Sequence, residues 1–228
     1  MFQWYDDAPP AGAQWEQSWD VAFKNGRSND FVVGLVAARH GAHYYIVDRV
    51  KGQWDFTETC RQLVALKQRY RQTQRIYVED AANGPAIVNV LRGQVPGIIP
   101  VTPQGSKEAR AQAAQPFVEA GNVWLPNPRP HGRRIPGREW VDDFLHQLCC
   151  FPNGAHDDDV DAFTQLIAQW VIPQVIPRIR LCELLSARSR RVTTPLVTGL
   201  LSRGSEVRAL PGAHHASPTS SPSPSSRT

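Results

Sequence analysis

The order of its apolar segments constrains the fold of this chain more than any other feature of the sequence. Three short runs rich in β-branched and aromatic residues, at 17–24, 31–41 and 43–52, are separated only by turn-prone residues. A helix-like segment follows, and then two further strand-like segments alternate with helix-like ones. The order β-β-β-α-β-α-β-α predicts an α/β domain with a mixed five-stranded sheet, antiparallel in its first three strands and flanked by helices.

The composition of the chain changes after residue 172. Residues 171–228 contain eight arginines and two glutamates, a net charge of +6 (8 − 2), together with seven prolines and ten serines. Chains of this kind bury too little apolar surface to fold. We therefore expect a linker remnant at 1–13, one folded domain at 14–172, and a basic, Pro/Ser-rich disordered tail at 173–228 that is either solvated or in contact with nucleic acid.

The sequence also limits the class of protein. It has no apolar run long enough for a membrane helix, and its N-terminus lacks the basic-then-apolar order of a secretion signal. Its four cysteines form no CxxC pair, and no His/Cys cluster has zinc-ligand spacing. We expect a soluble, intracellular protein with free thiols and no membrane partner.

Acidic residues occur within or at the end of two predicted strands. Asp20 lies in the first strand between Trp19 and Val21, where a buried carboxylate normally requires a counter-ion or a metal. Glu79 and Asp80 end the fourth strand, and a solvated strand end entering a turn would equally explain them. The burial of Asp20 is therefore the stronger of the two indications of a functional site.

Four aspartates fall within residues 157–161, at the start of the last predicted helix. The helix dipole and the unpaired backbone N–H groups favour one or two acids there, but not four. On a helical wheel Asp157, Asp158 and Asp161 share a sector of about 100°, whereas Asp159 points away from it. Such crowding becomes favourable when a divalent cation lies between the carboxylates.

Acids on a first strand, a fourth strand and a late helix are the arrangement that two-metal phosphoryl transfer requires. Carboxylate oxygens are hard ligands and favour Mg²⁺ or Mn²⁺ over zinc or copper. Two such ions activate a water and stabilise the leaving oxygen of a phosphodiester. The pattern therefore predicts a metal-dependent hydrolase that acts on phosphate esters.

Four ordered segments resemble the nuclease domain of tailed-phage terminase large subunits, the motors that cut and package concatemeric viral DNA. They are SWDVAFK with SNDF, YVEDAANGPAIV, GSKEARAQAAQPFVEAGNVWLP and FPNGAHDDDVDAF, and the resemblance covers about residues 14–170. It implies a ribonuclease H-like fold and two Mg²⁺ or Mn²⁺ ions. The implied partners are double-stranded DNA, a terminase ATPase domain or subunit, the small terminase subunit and the portal, in the host cytoplasm and transiently at the procapsid portal.

The resemblance also assigns roles to individual acids. Asp20 matches the first-strand aspartate that binds both metals, and Glu79 or Asp80 matches the second acid. The third acidic position is matched by Asp157 and Asp158, with Asp161 as an outer ligand. Because neighbouring residues of a strand point to opposite faces, only one of Glu79 and Asp80 faces Asp20, and we expect it to be Glu79.

The chain departs from full-length family members in one respect. Their N-terminal ATPase would contain a P-loop, G-x-x-x-x-G-K-[ST], and no such string occurs in this sequence. We therefore expect the nuclease part alone, whether as a piece of a longer protein, a truncated gene or a separately encoded subunit.

Basic residues near the predicted site are candidates for DNA contacts. Lys107 and Arg110 lie three apart on one helical face, and Arg133 and Arg134 lie in a loop rich in proline and arginine. Sequence-independent binding of DNA needs such phosphate contacts, although a solvated surface loop would also explain the two loop arginines.

Two alternative functions remain open on the sequence. The first is a resolvase-like or repair nuclease of the same fold that acts on branched DNA. The second is a non-catalytic remnant that binds DNA or a portal, against which the retention of all three acidic positions argues.

Overall fold

The computed structural model describes residues 1–21, 31–80 and 84–175, all of which belong to one unit, Met1–Arg178. Its strands are β1 (Gln3–Tyr5), β2 (Gln14–Asp20), β3 (Val32–His40), β4 (His43–Gly52), β5 (Thr73–Glu79), β6 (Ile98–Val101) and β7 (Val123–Pro126). Its helices are α1 (Phe56–Arg69), α2 (Gly84–Leu91), α3 (Lys107–Glu119), α4 (Trp140–Cys150) and α5 (Asp158–Val175), with a 3₁₀ turn at Pro130–Gly132. None of the helices described in this structure has both the length and the apolar character needed to cross a membrane.

The strands form a single mixed sheet in the order β1-β7-β4-β3-β2-β5-β6. The meander β2-β3-β4 is antiparallel, β5 lies parallel to β2, and β6 lies parallel to β5. On the other side, β7 runs parallel to β4 and β1 runs parallel to β7. The predicted class, a mixed α/β sheet with three antiparallel strands and flanking helices, is confirmed.

The sheet has seven strands rather than the five expected, because β1 and β7 extend it beyond β4. The assignment of residues 1–13 to a linker remnant therefore does not hold for Gln3–Tyr5, which pair with Trp124–Pro126. The Tyr5 hydroxyl donates a hydrogen bond of 2.9 Å to the Ile46 carbonyl of β4, and this contact further ties β1 to the sheet. A three-residue edge strand carries too little periodicity to be recognised in the sequence.

The C-terminal boundary differs by a few residues. Helix α5 continues to Val175, past the expected end of the domain at residue 172. The predicted tail beyond residue 175 lies outside the described residues, as do residues 22–24 of the predicted first strand.

Two apolar cores pack on opposite faces of the sheet. On one face Trp19 and Val21 pack with Leu63 of α1 and Ile87 of α2. On the other face Leu35 packs among residues of α4 and α5, including Phe144, Phe163 and Trp170. Because side chains alternate along β2, the burial of Trp19 in the first core directs Asp20 to the α5 face.

Helix α5 is held across the centre of the sheet by polar as well as apolar contacts. The Gln165 side-chain amide donates to Ser18 Oγ at 2.9 Å and to the Trp19 carbonyl at 3.3 Å. Farther along the helix, Trp170 stacks on Tyr44 with ring centroids 5.0 Å apart. These contacts fix the helix so that its first turn lies near the C-terminal end of β2.

We expect Gly34→Ala to destabilise the domain because Gly34 pairs with Trp19 across β2 and β3. An added Cβ would lie 2.8 Å from indole carbons of Trp19, whose side chain is fully buried. Overpacking of this kind typically costs about 1–3 kcal/mol in the free energy of unfolding, measured by urea titration.

Gly93→Ala is the matched control, because no heavy atom lies within 4 Å of a Cβ added there. If the two variants unfolded at the same urea concentration, the close packing of Trp19 on Gly34 would be refuted.

Candidate active site

Two acids from neighbouring parallel strands meet at one edge of the sheet. Asp20 ends β2 and Glu79 ends β5, and the preceding residues, Trp19 and Val78, are paired in the ladder. Asp20 is buried, Glu79 is half-buried, and their carboxyl groups share a hydrogen bond. The carboxyl ends of parallel strands are where α/β sheets usually bind ligands.

Asp80 occupies a different environment from Glu79. It is exposed just after β5, its backbone N–H donates to the Val101 carbonyl at 2.7 Å, and its carboxylate accepts a hydrogen bond of 3.4 Å from Thr102. The strand register thus agrees with the expectation that Glu79, rather than Asp80, lies beside Asp20. A metal-binding role for either residue remains a prediction.

The first turn of α5 brings a third acid to this edge. The Asp161 carboxylate lies close enough to Glu79 to raise its pKa, and Asp161 is itself held by Lys107 at 2.6 Å and Arg110 at 2.5 Å. Lys107 also contacts Asp157 at 2.8 Å. The two basic residues lie in the first turn of α3, which Ser106 caps by accepting a hydrogen bond from the backbone N–H of Ala109.

The other two aspartates of α5 face strand β4. Lys51 Nζ lies 3.6 Å from Asp158 and 3.4 Å from Asp159. Arg49 lies 2.7 Å from Asp159, which is fully buried and therefore depends on these partners. Asp159 thus points away from Asp157 and Asp161, as the helical wheel predicts, and binds α5 to the sheet. Asp158, which was expected beside Asp157 and Asp161, instead shares Lys51 with Asp159, because it lies at the edge of that sector.

Lys51 lies in the same row of the sheet as the acids. Val33 of β3 pairs with Asp20 on one side and with Lys51 on the other, so all three residues share one face. Two strand spacings separate Lys51 from Asp20, which is roughly 10 Å. The first turn of α5 therefore lies over a row of residues across β2, β3 and β4 that has Asp20 at one end and Lys51 at the other.

The electrostatics of the site indicate that its acids need more positive charge. Burial raises the pKa of Glu79, and the Asp161 carboxylate raises it further, while Arg110, the hydrogen bond with Asp20 and Lys107 act in the opposite direction. Burial also raises the pKa of Asp158, although Lys51 Nζ, 3.6 Å from its Oδ2, acts in the opposite direction. Protons or cations would stabilise both groups.

The acids of the site have the ligand chemistry that a hard divalent cation prefers, but their side chains are not arranged around one common position. The acids that lie at this edge are carboxylates, and carboxylates are the usual protein ligands of Mg²⁺ and Mn²⁺. Within the described residues, however, no three acidic, histidine or cysteine side chains are arranged to hold one ion. The side chains of Lys107 and Arg110 occupy the carboxylates that would complete such a group.

The four basic residues predicted to bind DNA fall into two environments. Lys107 and Arg110 are bound to site acids, and although burial opposes it, Asp157 and Asp161 raise the pKa of Lys107. Arg133 and Arg134 are exposed in the loop between β7 and α4. In the part of the chain that the structure describes, neither arginine forms an ion pair with an acid.

Sequence reasoning missed Arg49 and Lys51, although both are inward-facing cations on an apolar strand. Simple alternation from Tyr44 and Ile46 places them on the opposite face. A bulge at Val47 reverses the alternation, because the pairing shifts between Val36 and Ala37. The bulge is therefore what brings the two cations beneath α5.

A cavity of about 300 Å³ opens beside the acids, between β6, α3 and α5. Glu79, Arg110 and Asp161 line one part of it, and Ala113, Ala114, Ile167 and Val171 are among its apolar residues. The side chain of Arg110 therefore has open space next to its present position.

Comparisons with known proteins identify the fold family. A family model described as the terminase RNaseH-like domain matches residues 17–169. A search of curated proteins found no match.

Several solved terminase structures have the same fold. The large terminase of the thermophilic bacteriophage D6E has a TM-score of 0.55 at 10% identity, over 73% of this chain and 42% of that one. The large terminase nuclease of thermophilic phage G20c with bound zinc has a TM-score of 0.51 at 18% identity, over 74% and 93%. Its form with bound magnesium has a TM-score of 0.50 at the same identity, over 74% and 92%.

The nuclease domain of the Thermus phage P74-26 large terminase is similar to the same extent, with a TM-score of 0.52 at 18% identity over 74% and 90%. This chain spans 42% of the length of the D6E protein. At such identities the likeness extends to the fold alone.

We expect Asp159→Ala to reduce the free energy of unfolding by about 1.5–3 kcal/mol, because it removes the shared acid of two nearly buried cations. Arg49 then keeps only Asp143 at 2.7 Å, and Lys51 keeps only Asp158 at 3.6 Å. Arg49 and Lys51 are each only 10% exposed, and Asp159 is 0% exposed. Burial raises the pKa of Asp159 more than Arg49 and Lys51 lower it, so the ionised carboxylate depends on those cations.

Asp142→Ala is the control, since its ion pair with Arg129 is about half exposed, at 49% and 44%. Surface pairs are typically worth no more than about 1 kcal/mol. Equal losses in urea unfolding for the two variants would show that Asp159 does not anchor α5.

Proposed function

This chain belongs to the terminase RNaseH-like domain family, and we propose that it is the metal-dependent endonuclease domain of a phage DNA-packaging terminase. The observation that carries this proposal is the meeting of three carboxyl groups from three elements. Asp20 of β2 and Glu79 of β5 end adjacent parallel strands whose preceding residues are paired, and Glu79 and Asp161 of α5 line the same cavity. We propose concatemeric double-stranded DNA as the substrate and hydrolysis of its phosphodiester bonds as the reaction.

The proposed cofactors are two Mg²⁺ or Mn²⁺ ions. Bound there, such ions would activate a water and stabilise the leaving oxygen of the phosphodiester. The proposed ligands are Asp20 and Glu79 from the sheet, with Asp157, Asp158 and Asp161 from α5. The raised pKa of Glu79 supports cation binding at this edge, because burial and the Asp161 carboxylate disfavour its ionised form.

The protein side chains contribute placement and charge. Asp20 and Glu79 hold their positions because they end paired strands, and Asp159 fixes the first turn of α5 above them. Lys107 and Arg110 are proposed to bind DNA phosphates near the acids, and Arg133 and Arg134 to bind them farther along the duplex. Such contacts are independent of base sequence.

The packaging role adds proposed partners and a proposed place of action. These are a terminase ATPase domain or subunit, the small terminase subunit and the portal, in the host cytoplasm and transiently at the procapsid portal. Family membership supports them.

One observation favours a second candidate, a non-catalytic domain that binds DNA or a portal. Lys107 and Arg110 form ion pairs with Asp161, so protein side chains neutralise part of the acidic cluster. A plasmid-cleavage assay with Mn²⁺, and with EDTA as its control, separates the two candidates. Comparison of linear, supercoiled and four-way-junction DNA separates a packaging nuclease from a resolvase-like or repair nuclease.

We expect Asp20→Asn to abolish Mn²⁺-dependent plasmid cleavage while the protein remains folded. The amide keeps the size and part of the hydrogen bonding of the carboxylate but removes the charge that holds a cation. Nicking at the wild-type rate by a variant with an unchanged melting temperature would contradict the two-metal proposal.

The pair Glu79→Gln and Asp80→Asn tests which neighbour is the ligand. Glu79→Gln should lower the cleavage rate by orders of magnitude, since its carboxyl group shares a hydrogen bond with Asp20. Asp80→Asn should retain substantial activity, because Asp80 is exposed and its carboxylate accepts a hydrogen bond from Thr102. The reverse pattern of rates would assign the metal to Asp80 and contradict the strand register.

A further inference from the structure

The first turn of α3 is bound to the first turn of α5 by three ion-pair contacts. Lys107 lies 2.8 Å from Asp157 and 2.6 Å from Asp161, and Arg110 lies 2.5 Å from Asp161. These acids belong to the proposed metal site, and these cations belong to the proposed DNA contacts. The same ion pairs therefore occupy the carboxylates that a metal ion would need and the cations that DNA phosphates would need.

The charges of the contacting groups explain why the two sets compete. Asp157, Asp161 and the neighbouring Glu79 carry up to three negative charges, and Lys107 and Arg110 supply two positive charges. A divalent cation supplies the same positive charge from a smaller volume and can bind several carboxylates at once. An ammonium or guanidinium group and a metal ion cannot occupy the same carboxylate lone pairs.

We propose that the site exchanges ion-pair partners: a divalent cation displaces Lys107 and Arg110 from the α5 carboxylates, and the released side chains bind DNA phosphates. This proposal rests on the proposed function and adds the regulation of the same site. Metal binding and DNA binding are then positively coupled. The metal ion frees Lys107 and Arg110 for DNA, and DNA draws the same side chains away from the carboxylates that bind the metal.

The side chains are placed so that the exchange needs little movement of the backbone. Lys107 and Asp157 are 44% and 41% exposed, so the ammonium reaches solvent by rotation of its flexible stem. Arg110 lines the open cavity beside the acids, and this cavity gives its guanidinium room to move. The cap by Ser106 holds the first turn of α3 while these side chains change partners.

Coupling of this kind is reciprocal. If Mn²⁺ raises the affinity for DNA by some factor, DNA raises the affinity for Mn²⁺ by the same factor. In the absence of metal Lys107 is bound to acids, so its removal should change DNA affinity little. In the presence of metal the same removal should weaken DNA binding.

The first arm of the test measures Mn²⁺ binding by isothermal titration calorimetry on the full chain without DNA. Lys107→Gln should bind Mn²⁺ roughly two- to tenfold more tightly than wild type, because a charge-assisted contact no longer competes with the ion. Arg110→Gln should shift the affinity in the same direction. Arg61→Gln is the matched control, because Arg61 is 71% exposed and pairs with Glu58 on α1.

The second arm measures fluorescence anisotropy of a labelled DNA duplex with Ca²⁺, or with EDTA at matched ionic strength. Ca²⁺ is the probe because it binds carboxylate sites and, we expect, does not support cleavage. Wild type and Arg61→Gln should gain DNA affinity with Ca²⁺ to the same extent, whereas Lys107→Gln should lose most of that gain.

The outcomes separate this inference from the proposed function. If wild type binds and cleaves DNA with Mn²⁺ but Lys107→Gln and Arg110→Gln bind Mn²⁺ no more tightly, the exchange is wrong and the nuclease proposal stands. Loss of DNA affinity by Lys107→Gln to the same extent with and without Ca²⁺ would also overturn the exchange. If wild type binds no Mn²⁺, the proposed function fails, and the exchange fails with it.

Discussion

The acids at the carboxyl ends of β2 and β5 are stable together only when positive charge lies beside them. Asp20 and Glu79 share a hydrogen bond at a buried edge, and Asp161 adds a further negative charge from α5. In the structure, protein side chains meet this requirement, with Lys107 and Arg110 on one side of the α5 turn and Arg49 and Lys51 on the other. The way in which α3, α5 and β4 meet at this edge follows from that electrostatic requirement.

The two faces of the sheet divide the work of stability and of function. Trp19 packs against α1 and α2, while its neighbour Asp20 faces α5, so one residue holds the strand and the next serves the site. Helix α5 serves both purposes as well. Trp170 stacks on Tyr44 and holds the later part of the helix on the sheet. At the N-terminus of the helix, Asp159 binds Arg49, and Asp161 lies near the sheet edge that carries Asp20 and Glu79. Family membership is consistent with this arrangement.

Much of the fold and of the candidate site could be predicted from the sequence, because local periodicity determines them. Alternation along β5 shows that only one of Glu79 and Asp80 faces Asp20, and the apolar strand before Glu79 together with the family motif selects Glu79. Strand β1 was missed because three residues carry no usable period, and the cations of β4 were missed because a bulge at Val47 reverses the alternation. The ion pairs of Lys107 could not be predicted, since they depend on how α3 approaches α5 in three dimensions.

The most direct test of the central claim, that these acids form a divalent-cation site, is anomalous diffraction from crystals of the protein soaked in Mn²⁺. The account predicts two Mn²⁺ peaks between Asp20, Glu79 and the acids of α5, with the ammonium of Lys107 moved away from Asp161. Crystals that show no Mn²⁺ at this edge, and in which Lys107 and Arg110 still contact Asp161 at high Mn²⁺ concentration, would contradict it.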